Sequence, residues 1–208
     1  MIYIAGLLVS IIAKAENRVA VIDTGINVND KNRPYLCKEG HEDFTGYGLQ
    51  DEEGHGTKVV DVLINTTTHK NYCIVVLKFW QKHMSTQQTI QATVNAFYKA
   101  RDLNVAFVNY SATGNTPSKD EEWIIKSSPK ITFVVAAGND NINLDVSPRY
   151  PASYKFSNVF VVGALNIFGT KHHVSNYGSV VKYWEVGTAT SFSTPVKTGK
   201  LINERFAR

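Results

Sequence analysis

Five short apolar runs punctuate the chain: RVAVI (18–22), CIVVLKF (73–79), VAFVNY (105–110), ITFVVAA (131–137) and VFVVGA (159–164). They are rich in β-branched residues and lack the alternation of a strand with one wet face, which predicts strands buried on both sides. Between them the period changes. After Thr86, the side chains of Ile90, Val94, Phe97 and Tyr98 fall on one helical face. SKDEEWIIKS (118–127) opens with Ser118 as a candidate N-cap and acids in the first turn, as a helix start should. GHGTKVVDVL (54–63) and PVKTGKLINERF (195–206) carry two further helical patterns. Alternating strands and helices predict an α/β fold with a mostly parallel central sheet. In such sheets ligands gather at the carboxyl ends of the strands, so the residues that follow each run are the candidates for chemistry.

Composition narrows this picture. The chain has 208 residues, 43% of them apolar, which fits one domain with a full core. Its 22 basic and 18 acidic residues are dispersed, a pattern that marks neither nucleic acid nor a membrane surface as a partner. At the N-terminus, IYIAGLLVSIIA followed by AKA and ENR has the form of a signal peptide, with cleavage expected after Ala15. A buried first element is the alternative, because no Lys or Arg precedes the apolar run. Export would place the two cysteines, Cys37 and Cys73, where disulfides persist. Bridging them closes a loop of about 37 residues, a stabilisation of roughly 3–4 kcal/mol in the chain-entropy model. Two buried free thiols are the alternative, and neither cysteine looks like half of a metal pair.

At strand ends stand Asp23 in DTG and Asn139 in GND, and His55, between Gly54 and Gly56, stands at the start of a helical pattern. GTATSFSTP (187–195) adds five hydroxyls: Thr188, Thr190, Ser191, Ser193 and Thr194. Taken singly, each has an ordinary explanation as a turn, cap or surface residue. Asp51, Glu52 and Glu53 read as a solvated loop. The adjacent His172 and His173 read as surface residues pointing different ways. Pro195 is expected in the first turn of a helix, which would put the residues before it at the helix N-terminus.

Taken together and in order, VAVIDTGI, GHGTKV, VNYSATG, VVAAGND and TSFSTP resemble the Asp, His, substrate-strand, Asn and Ser motifs of the subtilisin-like serine proteases. YPASYKFSNVFVVGA resembles the segment that follows the Asn motif. The resemblance runs from about residue 18 to 199. It implies a subtilisin-like three-layer fold with helices on both faces of the sheet. It also implies a single catalytic domain over 16–208, with no evident propeptide and a shortened C-terminus, acting as a secreted serine endopeptidase on polypeptide substrates. In that family the nucleophile stands four residues before the proline, which here is Ser191; on a helix Ser193 lies about 200° further round. His55 then corresponds to the general base, Asp23 to its orienting carboxylate, and Asn139 to the oxyanion donor. Ser111, Ala112, Thr113 and Gly114 correspond to the strand that pairs with the substrate backbone.

Arg149 would stand at the base of the pocket for the residue before the scissile bond and favour acidic side chains, unless it pairs with Asp140 or Asp145. No cofactor is implied for the chemistry, and no stable membrane insertion after signal cleavage. Calcium is common in the family, but no ligand set here matches. Phe192 and Ser193 replace the family's usual Met and Ala, changes that a helix start absorbs, and two further departures bear on the site. Ala189 replaces the usual glycine, which would strain the backbone at positive φ, and Thr113 replaces a common glycine, which narrows the pocket. A catalytically silent protein binding peptides along Ser111–Gly114 is the alternative function.

Overall fold

The structure, a computed structural model, describes residues 17–206. The N-terminal apolar run and the cleavage site after Ala15 lie outside the described residues. In chain order the elements are β1 (Arg18–Asp23), β2 (Glu42–Asp43), α1 (His55–Thr66), β3 (Cys73–Lys78), α2 (Thr86–Asp102), β4 (Phe107–Tyr110) and α3 (Lys119–Lys126). Then follow β5 (Thr132–Ala136), β6 (Val159–Leu165), β7 (Val181–Val186) and α4 (Thr190–Phe206). The strands form one sheet in the order β2-β3-β1-β4-β5-β6-β7, every neighbouring pair parallel. The five apolar runs are β1, β3, β4, β5 and β6. The sequence reading missed β2, only two residues long, and β7, an edge strand in which Lys182 and Glu185 interrupt the apolar run.

Strand alternation sorts side chains into two cores. Ala20 and Ile22 of β1 join Ala96 and Phe97 of α2 and Ile124 and Ile125 of α3. Val19 and Val21 point the other way, to Val59 and Leu63 of α1 and Ile202 of α4. The result is three layers, with the sheet between two helical pairs. β1 is flanked by β3 on one side and β4 on the other, so the chain order reverses at β1. Its carboxyl end is therefore the topological switch point, where a crevice opens outside the sheet. Asp23 is the last residue of β1.

Other expectations change. α4 begins at Thr190, so Pro195 lies inside the helix rather than in its first turn. Ala189 is not among the residues with positive φ, so alanine brings no backbone strain there. The rings of His172 and His173 stack on each other with centroids 4.5 Å apart instead of diverging. Cys37 and Cys73 are joined by a disulfide. Among the described residues no helix is long and apolar enough to cross a membrane, and no three His, Cys, Asp or Glu side chains converge as a metal site would require.

Candidate active site

The DTG and GHG segments lock together through glycine. A Cβ on Gly56 would come within 2.4 Å of the Gly25 carbonyl oxygen, and one on Gly25 within 2.4 Å of the Leu49 carbonyl oxygen. This close approach brings His55, the first residue of α1, to Asp23. His55 Nδ1 lies 2.6 Å from Asp23 Oδ1, which also accepts from the Thr24 amide at 2.8 Å. The carboxylate is 2% exposed. Its hydrogen bond holds the His55 pKa above the ordinary value of 6.5, against the opposing effect of burial. With Nδ1 donating to the carboxylate, Nε2 is the basic nitrogen of the neutral ring.

Gly54 has no side chain to cap α1, and its neighbours supply the acceptors instead. Thr24 Oγ1 accepts from the Gly56 amide at 2.9 Å, and Asp51 Oδ2 accepts from the Thr57 amide at 2.7 Å. Asp51 also accepts from Thr57 Oγ1, Thr24 Oγ1 and the Gly54 amide. It is 2% exposed, which corrects the reading of this acid as part of a solvated loop. Burial pushes its pKa up, but these hydrogen bonds outweigh that and hold it below the usual carboxylate value. Lys78, fully buried at the end of β3, donates to the Gln50 carbonyl at 2.7 Å and ties down the same loop. Its place in an apolar run was the only signal for it.

At the other side of the crevice, Gly138 follows β5 with φ +95°, and a Cβ there would meet Asn176 Nδ2 at 2.5 Å. Asn176 is fully buried and holds this turn by donating to the Ala137 carbonyl and accepting from the Asp140 and Ile142 amides. Nothing in its local sequence pattern signals that role. Asn139 Oδ1 accepts from both the amide and the hydroxyl of Thr190, each at 2.9 Å. Two donors on one oxygen fix the amide orientation, so Nδ2 is the group left over. Nδ2 and the Ser191 N–H have no protein acceptor among the described residues.

Ser191 is the second residue of α4. Pro195 has no N–H to donate to the Ser191 carbonyl four residues back. Ser111 Oγ donates to that carbonyl instead, at 2.8 Å, and is itself held by Asn109 Nδ2 at 3.1 Å. In return Ser191 Oγ donates to the Ser111 carbonyl at 3.0 Å, so its hydroxyl is directed to this carbonyl and not to His55. The neighbouring Phe192 ring lies 5.6 Å from the His55 ring, between centroids. Ser193 is fully buried and donates to the Glu185 carbonyl, facing away from the crevice. Thr194 Oγ1 donates to the Thr190 carbonyl.

Residues 111–115 form a wall between two clefts. One, of about 560 Å³, is lined by Asn139, Asp140, Arg149, Thr190 and Ser191. The other, of about 590 Å³, is lined by Asp23, His55, Ile90, Tyr110 and Glu121 among others. Gly114 exchanges both backbone hydrogen bonds with Tyr150, each at 2.8 Å, whereas Ala112 and Thr113 make none with protein among the described residues. Arg149 lines the first cleft, with its Nε donating to Asp140 at 3.2 Å and its Nη1 to the Pro148 carbonyl.

The comparisons agree with this architecture. The model of the subtilase family matches residues 15–201. Subtilisin-like protease 2 of Trichophyton rubrum is 34% identical over 176 residues, spanning 80% of this chain and 40% of that protein. Subtilisin-like protease 11 of Arthroderma gypseum is 30% identical over 182 residues, or 84% and 44%. The chain thus spans less than half the length of these relatives. Among solved structures, the epidermin leader peptide processing serine protease of Staphylococcus aureus superposes with a TM-score of 0.80 at 17% identity, covering 93% of this chain and 66% of that one. A cold-adapted subtilisin-like serine proteinase gives 0.71 at 21%, covering 90% and 76%. The fold, the matched segment and the level of identity place this chain in the subtilase family.

Proposed function

We propose that the chain is an exported serine endopeptidase that cleaves polypeptides through an acyl-enzyme. One observation carries the reading: the ring of Phe192, next to Ser191, lies 5.6 Å from that of His55, which sets the Asp23–His55 pair beside a helix-start serine with two unspent donors, its own N–H and Asn139 Nδ2. Rotation about the Ser191 Cα–Cβ bond exchanges the Ser111 carbonyl for His55 Nε2 as acceptor. His55 takes the hydroxyl proton as Oγ attacks the substrate carbonyl, and the imidazolium is stabilised by Asp23. The two donors receive the oxyanion, each worth about 3–4 kcal/mol in the transition state. His55 then returns the proton to the leaving amine, and water hydrolyses the ester by the same route.

The substrate backbone pairs with Ser111–Thr113 by strand addition; Gly114, already bonded to Tyr150, serves as the anchor of that wall. The residue before the scissile bond sends its side chain into the Asn139–Arg149 cleft. The Asp140 carboxylate offsets the Arg149 charge there, which weakens its pull on acidic side chains. The disulfide and the N-terminal apolar run support export.

The alternative, a silent peptide-binding protein, draws on the hydrogen bond from Ser191 Oγ to the Ser111 carbonyl. Labelling with a fluorophosphonate probe separates the two readings. The wild type and Ser193→Ala are expected to label, whereas Ser191→Ala loses labelling and peptidase activity by roughly 10⁴-fold or more. Folded wild-type protein that does not label overturns the enzymatic reading. Labelling that survives Ser191→Ala and is lost in Ser193→Ala overturns the register.

A further inference from the structure

Glu121 occupies the third position of α3, three residues after its N-cap Ser118. The sequence S-x-x-E is that of a capping box, in which this glutamate would fold back onto the Ser118 amide. The structure does not form one. The Ser118 amide donates to the Tyr154 hydroxyl at 2.9 Å, and that hydroxyl donates to the Ser118 carbonyl at 2.9 Å. Displaced from the cap, Glu121 lines the 590 Å³ recess while remaining 7% exposed.

The recess combines apolar walls with a buried carboxyl group. Its walls include Trp80, Met84, Ile90, Tyr110 and Tyr150. Its acidic lining residues are Asp23, Glu53 and Glu121, and no lysine or arginine lines it. No salt-bridge partner for Glu121 is present among the described residues. A buried carboxylate without a cation is costly, so a cation brought to Glu121 would be favoured there.

A long side chain with an apolar stem and a cationic head fits both features of the recess. Side chains of an extended peptide alternate between two faces. If the residue before the scissile bond points into the Arg149 cleft, those one and three positions upstream face this recess. The nearer meets His55 and the farther reaches toward Glu121.

We propose that Glu121 is a specificity-determining residue that selects lysine or arginine at the fourth substrate position before the scissile bond. The selection rests on the proteolytic reading above, and its test has an arm that does not need cleavage. Burial raises the Glu121 pKa to about 7, opposed by the Tyr154 hydroxyl. The groups facing it are the phenols of Tyr110, Tyr150 and Tyr154, with Glu122 on its own helix and Asp23, Glu53 and His55 elsewhere in the lining. A bound guanidinium would return the carboxyl to its ionised form.

The experiment uses peptides identical except for arginine or citrulline, its neutral near-isostere, at that position. Cleavage is measured with the wild type and Glu121→Gln, and equilibrium binding with Ser191→Ala. At pH 8 the arginine peptide is expected to be favoured about tenfold or more in both kcat/KM and binding. The ratio falls toward one in Glu121→Gln and, for binding, at pH 5. His55 meets the same neighbouring residue in both peptides, so its titration divides out of the ratio. Equal treatment of the two peptides by the wild type, an arginine preference that survives Glu121→Gln, or no binding by Ser191→Ala overturns the proposal. Absence of cleavage with the arginine preference retained in binding overturns the proteolytic reading and leaves the recess assignment standing.

Discussion

At the scale of single residues, the proposed role of His55 as general base makes the Asp23–His55 contact the determinant of the working pH. The general base must be neutral, and the carboxylate raises the imidazole pKa above 6.5. The acid limb of kcat/KM is therefore expected above pH 6.5 in the wild type. Asp23→Asn removes the dominant cause and leaves burial, which acts in the opposite direction. The imidazole titration of that variant, followed by proton NMR, should lie below the wild-type value, and an unchanged titration would exclude Asp23 as the cause. The same shift has a consequence for stability. A raised histidine pKa means that the folded state holds the proton more tightly than the unfolded one. The pair's contribution is fully present below pH 6.5 and is lost as pH rises through the folded value.

At the scale of elements, the start of α1 depends on side chains outside the helix. Asp51 accepts four hydrogen bonds, including the Thr57 amide of the first turn, and its removal leaves buried donors without acceptors. Asp51→Ala is expected to cost roughly 3 kcal/mol or more, or about 6–12 °C in Tm for a domain of this size. Exposed Glu53, two residues away, provides the control: Glu53→Ala should stay within about 0.5 kcal/mol. Equal effects in thermal unfolding would return Asp51 to the solvated loop that the sequence suggested. That misreading shows which features were legible. β1 and β3 to β6 announce themselves because strands buried on both faces need unbroken apolar runs. Asp23, His55, Asn139 and Ser191 stand out because each lies in a short motif marked by glycine or proline, where a strand ends or a helix begins. Asp51, Lys78, Asn176 and Glu121 do not, because their roles depend on hydrogen bonds or cavities between segments distant in sequence. Local pattern cannot distinguish a buried, fully bonded acid from one in water.

At the scale of the whole molecule, the disulfide and the candidate active site lie at opposite ends of the central strands. Cys73 opens β3 opposite Arg18, whereas Lys78 closes it opposite Asp23. Five residues of strand separate the two ends, about 16 Å at the usual rise. The cross-link ties the segment before β2 to the amino end of the sheet, where both cysteines are already buried. Its 36-residue separation gives a chain-entropy stabilisation of about 4 kcal/mol. None of the hydrogen bonds that hold Asp23, His55, Asn139 or Ser191 involves Cys37 or Cys73. Replacing both cysteines with alanine is therefore expected to lower the urea midpoint by the equivalent of that energy. It should leave the fluorophosphonate labelling rate of the folded fraction unchanged. A loss of labelling in protein that is still folded would mean that strain crosses the sheet from its amino to its carboxyl end. An unchanged midpoint would mean that the unfolded chain already holds the two segments together without the bond.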